Sequence, residues 1–394
     1  QIVGNESQER MGIVIREEDI EHIRQIADRE RAPFYVVGET TGDHRFVFEQ
    51  TDGVKPIDLA MEDMFGKAPR TVMTDRTVEE TYEDVTYDQT QLDEYVERVL
   101  QLEAVACKDW LTNKVDRSVT GKIARQQCQG EIQLPLSDCG VVALDYRGRA
   151  GIATSIGHAP QAALVDPAAG SILSIAEALT NIVWAPLSEG LDSVSLSANW
   201  MWPCKNEGED ARLYRAVEAC SDFACSLGIN IPTGKDSLSM TQKYGKDKVY
   251  SPGTVIISAG AEVSDIRKVV SPVLRTGVNS TIYYIDFSFD KLKLGGSAFA
   301  QSLDKIGKEV PTVQDSEYFA NAFNAVQELV NKEFILAGHD ISAGGMITTM
   351  LEMNFANTEG GLEVSLDEIP EKDLVKILFS DCLLYTSPSP RDRS

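Results

Sequence analysis

The sequence of 394 residues has no long apolar run, and none of its hydrophobic stretches approaches the roughly 18 residues that a membrane-spanning helix needs. Basic residues are scarce, since 37 Lys and Arg stand against 61 Asp and Glu and give a net charge of −24. Such an excess of negative charge disfavours binding to the phosphate backbone of nucleic acids. We therefore expect a soluble globular protein that binds neither a membrane nor nucleic acid.

The cysteine residues show no spacing that is typical of a metal site or of a disulfide framework. The seven cysteines are scattered, their number is odd, and no C-x-x-C pair occurs. This usage is typical of reduced thiols, so we expect a cytoplasmic protein without a zinc site. The first residue is Gln1, and the last twelve residues, LLYTSPSPRDRS, resemble translated adapter sequence more than protein. We expect an internal fragment of a longer protein in which residues 383–394 are a non-native tail.

The first two segments differ in composition. Residues 1–70 predict a helix over 19–31 and a strand over 34–38, which fits the end of an α/β domain. Residues 71–117 contain the acidic run TDRTVEETYEDVTYDQTQ, which predicts an exposed linker, and continue with an amphipathic helix from Leu92 to about residue 111.

Two further domains follow, at 118–264 and 265–382. The first predicts strands and helices in mixed order, with a helix at 171–185, a strand at 194–200, a helix at 211–227, a turn at 234–236 and a strand at 254–263. The second predicts a strand at 280–288, a helix at 316–331, a strand, Gly-rich turn and helix over 333–356, and a last strand at 362–366. The fold class is therefore α/β (α+β), with mixed sheets packed by helices.

The helix predicted at 171–185 organises the chain. Apolar residues cover almost its whole circumference, which is typical of a helix buried on most sides. Ser174, Glu177 and Asn181 are spaced three and four residues apart and form one narrow polar stripe. Because a buried carboxylate is costly without a partner, we expect polar groups opposite this stripe.

Two loops carry further acids. GHDISAGGM, residues 338–346, places Asp340 and Ser342 between a strand and a helix, where glycines let a phosphate approach and Asp340 could hold the magnesium that binds it. Either residue could instead be a simple helix N-cap. Asp138 in LSDCGV is by composition an ordinary turn residue.

Lys235 in GKDS could contact an anion or be a surface lysine, and the spacing from Gly228 excludes a P-loop. If Asp138, Glu177 and Asp340 converged to about 4 Å, each ionised pair would repel by roughly 4 kcal/mol at an effective dielectric constant near 20. Such a cluster needs a divalent cation or bound protons. Oxygen ligands favour magnesium, manganese or calcium.

Nine motifs follow one another between residues 5 and 345: NESQERM, RERAPFYVVG, RSVTGKIARQQ, SDCGV, EALTN, LSANWM, GEDARLY, IPTGKDSLSM and HDISAGG. Together they resemble the phosphoribosylformylglycinamidine synthase family, the large single-chain, glutamine-dependent ligases of de novo purine synthesis. The resemblance implies two pseudo-repeated halves, each with an N-terminal and a C-terminal aminoimidazole ribotide synthetase-like domain. Residues 1–70 would end the first half, and residues 118–382 would form nearly all of the second.

The resemblance also implies a site. Its magnesium ligands would be Asp138, Glu177, Asn181 and Asp340, and its nucleotide contacts Ser137 and Ser342, with Lys235 as a further candidate. The cofactors would be ATP or ADP with Mg²⁺, and the second half would hold ADP in a structural role. The family's catalytic ETHNHP motif is absent, and His158 in GHAP belongs to a degenerate counterpart, so we assign no catalytic residue.

The implied parent activity converts formylglycinamide ribonucleotide to formylglycinamidine ribonucleotide with ATP and ammonia from glutamine. The missing first-half synthetase and glutaminase domains would be the partners, and the fragment alone would be inactive. Two alternatives remain open. One is a structural and interaction module that binds no nucleotide, and the other is another ATP-dependent synthetase of the same superfamily.

Overall fold

The computed structural model describes residues 10–67, 70, 72–112, 117, 121–278 and 280–381, and the backbone of 384–390. The chain forms two compact units, 1–72 and 73–394. Most of NESQERM and part of RSVTGKIARQQ lie outside the described residues. Within the described ranges, no helix combines the length and apolar character needed to cross a bilayer.

The first unit contains one longer helix and a β-hairpin. Its elements are α1 (Ile20–Arg29), β1 (Arg45–Phe48), β2 (Ile57–Ala60) and α2 (Met61–Phe65), and β1 pairs antiparallel with β2. Helix α1 confirms the helix predicted over 19–31, although it begins at Ile20 and ends at Arg29. The strand predicted at 34–38 is wrong, because no described strand pairs with this segment. None of the described residues of this unit is buried.

The second unit opens with an extended segment that we call the strap, residues 73–88. Most of its residues are exposed, as expected for the linker predicted here, and several of its side chains also contact the rest of the unit. Tyr82 donates to the carbonyl of Leu164 at 3.4 Å, Glu83 lies 3.6 Å from Lys305, and Tyr87 donates to Asp373 at 2.6 Å. The amphipathic helix that follows is shorter than predicted and gives two elements, α3 (Leu92–Leu100) and α4 (Asp109–Thr112).

A six-stranded sheet forms the next part of the second unit. Its strands are β3 (Ile123–Arg125), β6 (Gly140–Ala143), β7 (Gly151–His158), β12 (Thr254–Val263), β8 (Ser195–Met201) and β9 (Asn230–Ser237), in that spatial order. All neighbours are antiparallel except β8 and β9. Two smaller hairpins join β4 (Cys128–Gln129) to β5 (Leu134–Pro135) and β10 (Thr241–Tyr244) to β11 (Asp247–Tyr250).

One face of this sheet is covered by helices. They are α5 (Pro160–Val165), α6 (Pro167–Ile182) and α7 (Glu209–Ser226). Strand β7 alternates strictly between buried and exposed residues, as expected for a strand with one face against a core. Helix α6 is the predicted central helix, although it begins at Pro167 and ends at Ile182. Its start is fixed by Asp166, whose carboxylate accepts from the amide of Ala168 at 2.9 Å.

The turn predicted at 234–236 is wrong, because these residues lie within the edge strand β9. Gly234 pairs with Ala198 of β8, and a Cβ at Gly234 would lie 2.1 Å from the carbonyl oxygen of Ala198. Glycine is therefore required here for the close approach of two strands, which composition alone does not distinguish from a turn.

The last part of the chain packs onto the same core. Its elements are β13 (Ser280–Asp286), α8 (Ala298–Ser302), α9 (Ser316–Asn331), β14 (His339–Asp340), α10 (Gly345–Phe355), α11 (Leu374–Phe379) and β15 (Leu384–Pro390). Phe319 of α9 meets Phe223 of α7 with ring centroids 5.8 Å apart, so the two predicted domains share apolar packing. The strand predicted at 362–366 is wrong, since that segment is irregular.

Strand β15 lies between β13 and β14 in a three-stranded sheet. It falls in the segment that we interpret as a non-native tail. Pro388 and Pro390 have no backbone N–H to donate to this ladder. The tail interpretation and the predicted domain boundaries stay predictions.

Candidate metal and nucleotide site

Two acids that are distant in sequence meet in one buried cluster. Asp138 lies in the loop between β5 and β6, and Asp340 ends the short strand β14. Together with His339 they offer ligand atoms that all lie within 4.8 Å of one another. The side chains of Asp138 and Asp340 are each only 4% exposed. The fold thus brings together two of the four predicted metal ligands.

His339, which the sequence analysis does not single out, lies between carboxylates. Its Nδ1 is 2.6 Å from Oδ1 of Asp138, and its Nε2 is 2.9 Å from Oε2 of Glu352 on α10. Both ring nitrogens face carboxylate oxygens, and an imidazole protonated on both nitrogens can donate to both. Burial alone would lower the pKa of His339, but the charges of Asp138 and Glu352 raise it well above its usual value.

Asp340 is the acid of this cluster whose buried carboxylate is least compensated by hydrogen bonds. Its Oδ2 is buried and has no hydrogen-bond partner among the described residues. Burial and then the charge of Asp138 raise the pKa of Asp340 well above its usual value. A buried carboxylate oxygen without a partner is unfavourable in the free protein and fits the ligand preference of a hard divalent cation.

Glu177 and Asn181 project from α6 towards β7. Oε2 of Glu177 accepts from the amide of His158 at 2.6 Å, and Nδ2 of Asn181 donates to the carbonyl of Ile156 at 3.0 Å. The polar partners of Glu177 and Asn181 are therefore backbone groups of β7. Burial raises the pKa of Glu177 to about 7, and the charge of Glu177 contributes to the raised pKa of Asp340.

The predicted nucleotide contacts occupy different places. Ser137 precedes Asp138, and its hydroxyl donates to the carbonyl of Gln126 at 2.7 Å. Ser342 lies in the turn after β14, and its carbonyl accepts from the amide of Gly345 at 3.0 Å. Lys235 is exposed on β9 and donates to the hydroxyl of Ser237 at 2.6 Å. Among the described residues, the ammonium of Lys235 thus binds its strand neighbour Ser237 and not the acidic cluster.

The simple N-cap interpretation of Asp340 and Ser342 is wrong. The residue at the N-cap of α10 is Gly344, with φ of 99°, so neither Asp340 nor Ser342 occupies that position. Instead, the amide of Gly344 donates to Oδ1 of Asp381 at 3.0 Å. Oδ2 of Asp381 accepts from the amide of Ala298 at 2.6 Å, so one carboxylate joins the starts of α8 and α10. Burial raises the pKa of Asp381 to about 7.

Sequence reasoning missed His339, Glu352 and Asp381. The only local signal is the position of His339 directly before Asp340 in the GHD sequence. Glu352 is one acid within a helix, and Asp381 follows a short apolar helix, so neither carries a motif. Both acquire a role only because the fold brings α10 and α11 to the β14 loop.

Comparison with known proteins first defines the class of the central part. Residues 107–262 match the model of the FGAR-AT PurM_N-like domain. This stretch contains the six-stranded sheet except for the last residue of β12, together with helix α6 and three of the four predicted metal ligands: Asp138, Glu177 and Asn181. The class of this part agrees with the expected synthetase-like domain.

Nearly the whole chain is similar to curated proteins. It is 36% identical to "Phosphoribosylformylglycinamidine synthase" of Dictyostelium discoideum and 37% identical to the protein of the same name of Homo sapiens, in both cases over 97% of this chain. The chain spans 29% and 30% of the length of these relatives. The resemblance to phosphoribosylformylglycinamidine synthase is therefore confirmed.

Solved structures agree on the fold. "T. maritima PurL complexed with ATP" covers 95% of this chain with a TM-score of 0.56 and 14% identity, and the match spans 51% of that chain. "T. maritima PurL complexed with FGAR" covers 76% of this chain with a TM-score of 0.52 and 16% identity, over 45% of that chain. The mixed α/β synthetase-like fold is thus confirmed.

Proposed function

We propose that this chain forms the part of a phosphoribosylformylglycinamidine synthase that binds a nucleotide and a divalent cation. The parent enzyme would be a carbon–nitrogen ligase that converts formylglycinamide ribonucleotide to its amidine with ATP and glutamine. The bound nucleotide would be ADP in an auxiliary, structural role. The first-half synthetase and glutaminase domains of the parent, located in the cytoplasm, would be its partners.

The observation that carries the proposal is Oδ2 of Asp340, which has no hydrogen-bond partner among the described residues and lies beside the carboxylate of Asp138. The ligand atoms of these two residues lie within 4.8 Å, and both side chains are buried. At this separation two ionised carboxylates repel by several kcal/mol unless a cation or protons intervene. Glu177 adds a third carboxylate close enough to influence Asp340.

The residues at this site would have different roles. Asp138, Glu177 and Asp340 would hold the cation, and Asn181, one turn after Glu177 on α6, would complete the ligand set. A bound Mg²⁺ would supply neutralisation and positioning of the nucleotide phosphates. Ser137 and Ser342 lie in the two loops that carry Asp138 and Asp340, and the backbone groups there would contact the nucleotide. Lys235, exposed on the edge strand β9, would be a further candidate for contact with an anionic group.

The structural-module alternative fits these observations less well. A module that only docks a neighbour has no need of buried acids in contact, and such acids lower its stability. A separate superfamily enzyme is also less favoured, because the similarity extends through residues 1–117 into proteins more than three times as long.

The nucleotide content of the purified protein tests the proposal. We expect ADP to be released by acid denaturation in near-equimolar amount from the unaltered chain and to be lost in Asp340→Asn. The matched control is Asp367→Asn, an exposed acid with no predicted ligand role. No nucleotide in a folded sample, even after incubation with ADP and Mg²⁺, would overturn the proposal in favour of the structural module. We expect no amidine formation by this chain alone.

A further inference from the structure

We propose that His339 and Glu352 are positioning residues that hold the carboxylate of Asp138 in the orientation required to bind a cation. This inference rests on the proposed function, because it concerns the cation of the same site. It adds two residues that are not themselves assigned as ligands. Their effect would be transmitted through hydrogen bonds.

The three side chains form a continuous chain of contacts from α10 to the loop before β6. Oε2 of Glu352 accepts from Nε2 of His339 at 2.9 Å, and Nδ1 of His339 donates to Oδ1 of Asp138 at 2.6 Å. The ring is almost completely buried, at 7% exposure, whereas the side chain of Glu352 is 29% exposed. Glu352 thus lies at the edge of the cluster and the imidazole at its centre.

The loop that carries Asp138 explains the need for such support. Its backbone is held next to Asp138, where the amide of Ser137 donates to the carbonyl of Gln127 at 3.1 Å. This bond leaves the side-chain torsions of Asp138 free. The bond from His339 fixes them, and Glu352 in turn fixes the plane of the imidazole. Partners of this kind, one step removed from the metal, commonly change metal affinity by about 10- to 100-fold.

A second interpretation makes the opposite prediction. His339 also lies 3.8 Å from Oδ1 of Asp340, so it could act only as a counter-charge for the acids. A bound cation would then be repelled by the imidazolium, and removal of His339 would tighten cation binding. Positioning predicts that removal of His339 weakens cation binding. The direction in which cation affinity changes when His339 is removed therefore distinguishes the two roles.

The experiment titrates the full chain with Mn²⁺ alone and measures free Mn²⁺ by electron paramagnetic resonance. We expect His339→Ala to raise the Kd at least tenfold. His339→Asn places an amide nitrogen near the position of Nδ1 and should restore binding to within a few-fold of the unaltered chain. Glu352→Gln should weaken binding less than His339→Ala. The double variant should bind as His339→Ala does, because Glu352 acts through His339.

Glu352→Gln keeps the inference testable if His339→Ala does not fold, because the substitution is nearly isosteric and the side chain of Glu352 is partly exposed. Glu328→Gln on α9 is the control, an exposed acid paired with Lys332. If the unaltered chain binds Mn²⁺ and His339→Ala and Glu352→Gln bind it as tightly or more tightly, positioning is overturned while the proposed function stands. If the folded, unaltered chain binds no Mn²⁺, the proposed function fails and the inference fails with it.

Discussion

Gly157 of β7 lies directly against the backbone of Ala178 on α6. A Cβ at Gly157 would lie 2.3 Å from the amide nitrogen of Ala178 and 2.2 Å from the carbonyl oxygen of Ser174. This close approach brings the amide of His158 to the carboxylate of Glu177. The glycine therefore sets the distance between the central helix and the sheet at the proposed site.

Gly157→Ala should separate β7 from α6, because backbone atoms cannot move aside as a flexible side chain can. We expect a loss of about 1–3 kcal/mol in unfolding free energy, as is usual for overpacking, and weaker Mn²⁺ binding. Denaturant unfolding and Mn²⁺ titration check both effects. The control is Gly260→Ala on the neighbouring strand β12, where the nearest atom to the new Cβ is 4.0 Å away. Equal stability of the two variants would contradict this packing account.

The strap should contribute to the unfolding free energy of the second unit. Tyr87 donates to Asp373 at 2.6 Å, and Asp373 also accepts from the amide of Val375 at the start of α11. Tyr87→Phe should lower the unfolding free energy by about 1–2 kcal/mol, because it removes a hydrogen bond to a charged group. Tyr214→Phe is the control, since the Tyr214 hydroxyl is 3.4 Å from Glu218 on an exposed helix face. If both variants unfold at the same denaturant concentration, the strap does not stabilise the unit.

Gln327 on α9 fixes the chain that follows α6. Its Oε1 accepts from the amide of Leu187 at 2.9 Å, and its Nε2 donates to the carbonyls of Val183 and Ala185 at 2.5 and 2.9 Å. Gln327→Leu keeps the volume but leaves these three buried groups unpaired, so we expect a loss of about 3 kcal/mol or more in unfolding free energy. Gln242→Leu on the exposed strand β10 should change stability by less than about 0.5 kcal/mol. A tolerated Gln327→Leu would show that α9 is held mainly by apolar packing.

Asp381 gives stability a defined pH dependence. Burial raises the pKa of this carboxyl to about 7, well above its value in an unfolded chain. Folding therefore takes up a proton at this position between pH 4 and 7, and stability falls as the pH rises through that window. Compared with Asp381→Asn, the unaltered chain should lose stability from about pH 4 to 7 and then stay level. Unfolding curves at several pH values measure this difference, and a difference independent of pH would contradict the assignment.

Local pattern predicted much of the fold. The strand Thr254–Val263 and the helix Ser316–Asn331 agree with the sequence prediction at both ends, because their periodicity reflects burial on one side. The strands expected at 34–38 and 362–366 failed for a different reason. Both segments have apolar, strand-like composition, but a strand exists only where a neighbour supplies hydrogen bonds, which composition does not reveal.

The site was predictable only in part. The spacing of Glu177 and Asn181 on a buried helix predicts one polar stripe, and the loop at 338–346 indicates Asp340. The proposed ligand set of these three residues and Asp138 is implied only by the family resemblance. The contact between His339 and Asp138 spans 201 positions in sequence, so no local pattern could show it. Asp381 is missed for the same reason, since its partners Ala298 and Gly344 lie at two helix starts that only the tertiary fold brings together.

The most direct test of the account is a calorimetric titration of the nucleotide-free chain with ADP, in Mg²⁺ and then in excess chelator. The account predicts one ADP per chain in Mg²⁺, little or no binding in chelator, and loss of binding in folded Asp340→Asn. Binding of ADP that is equally tight in chelator, or undiminished in Asp340→Asn, would contradict a site in which Asp138, Glu177, Asn181 and Asp340 hold the nucleotide through a cation.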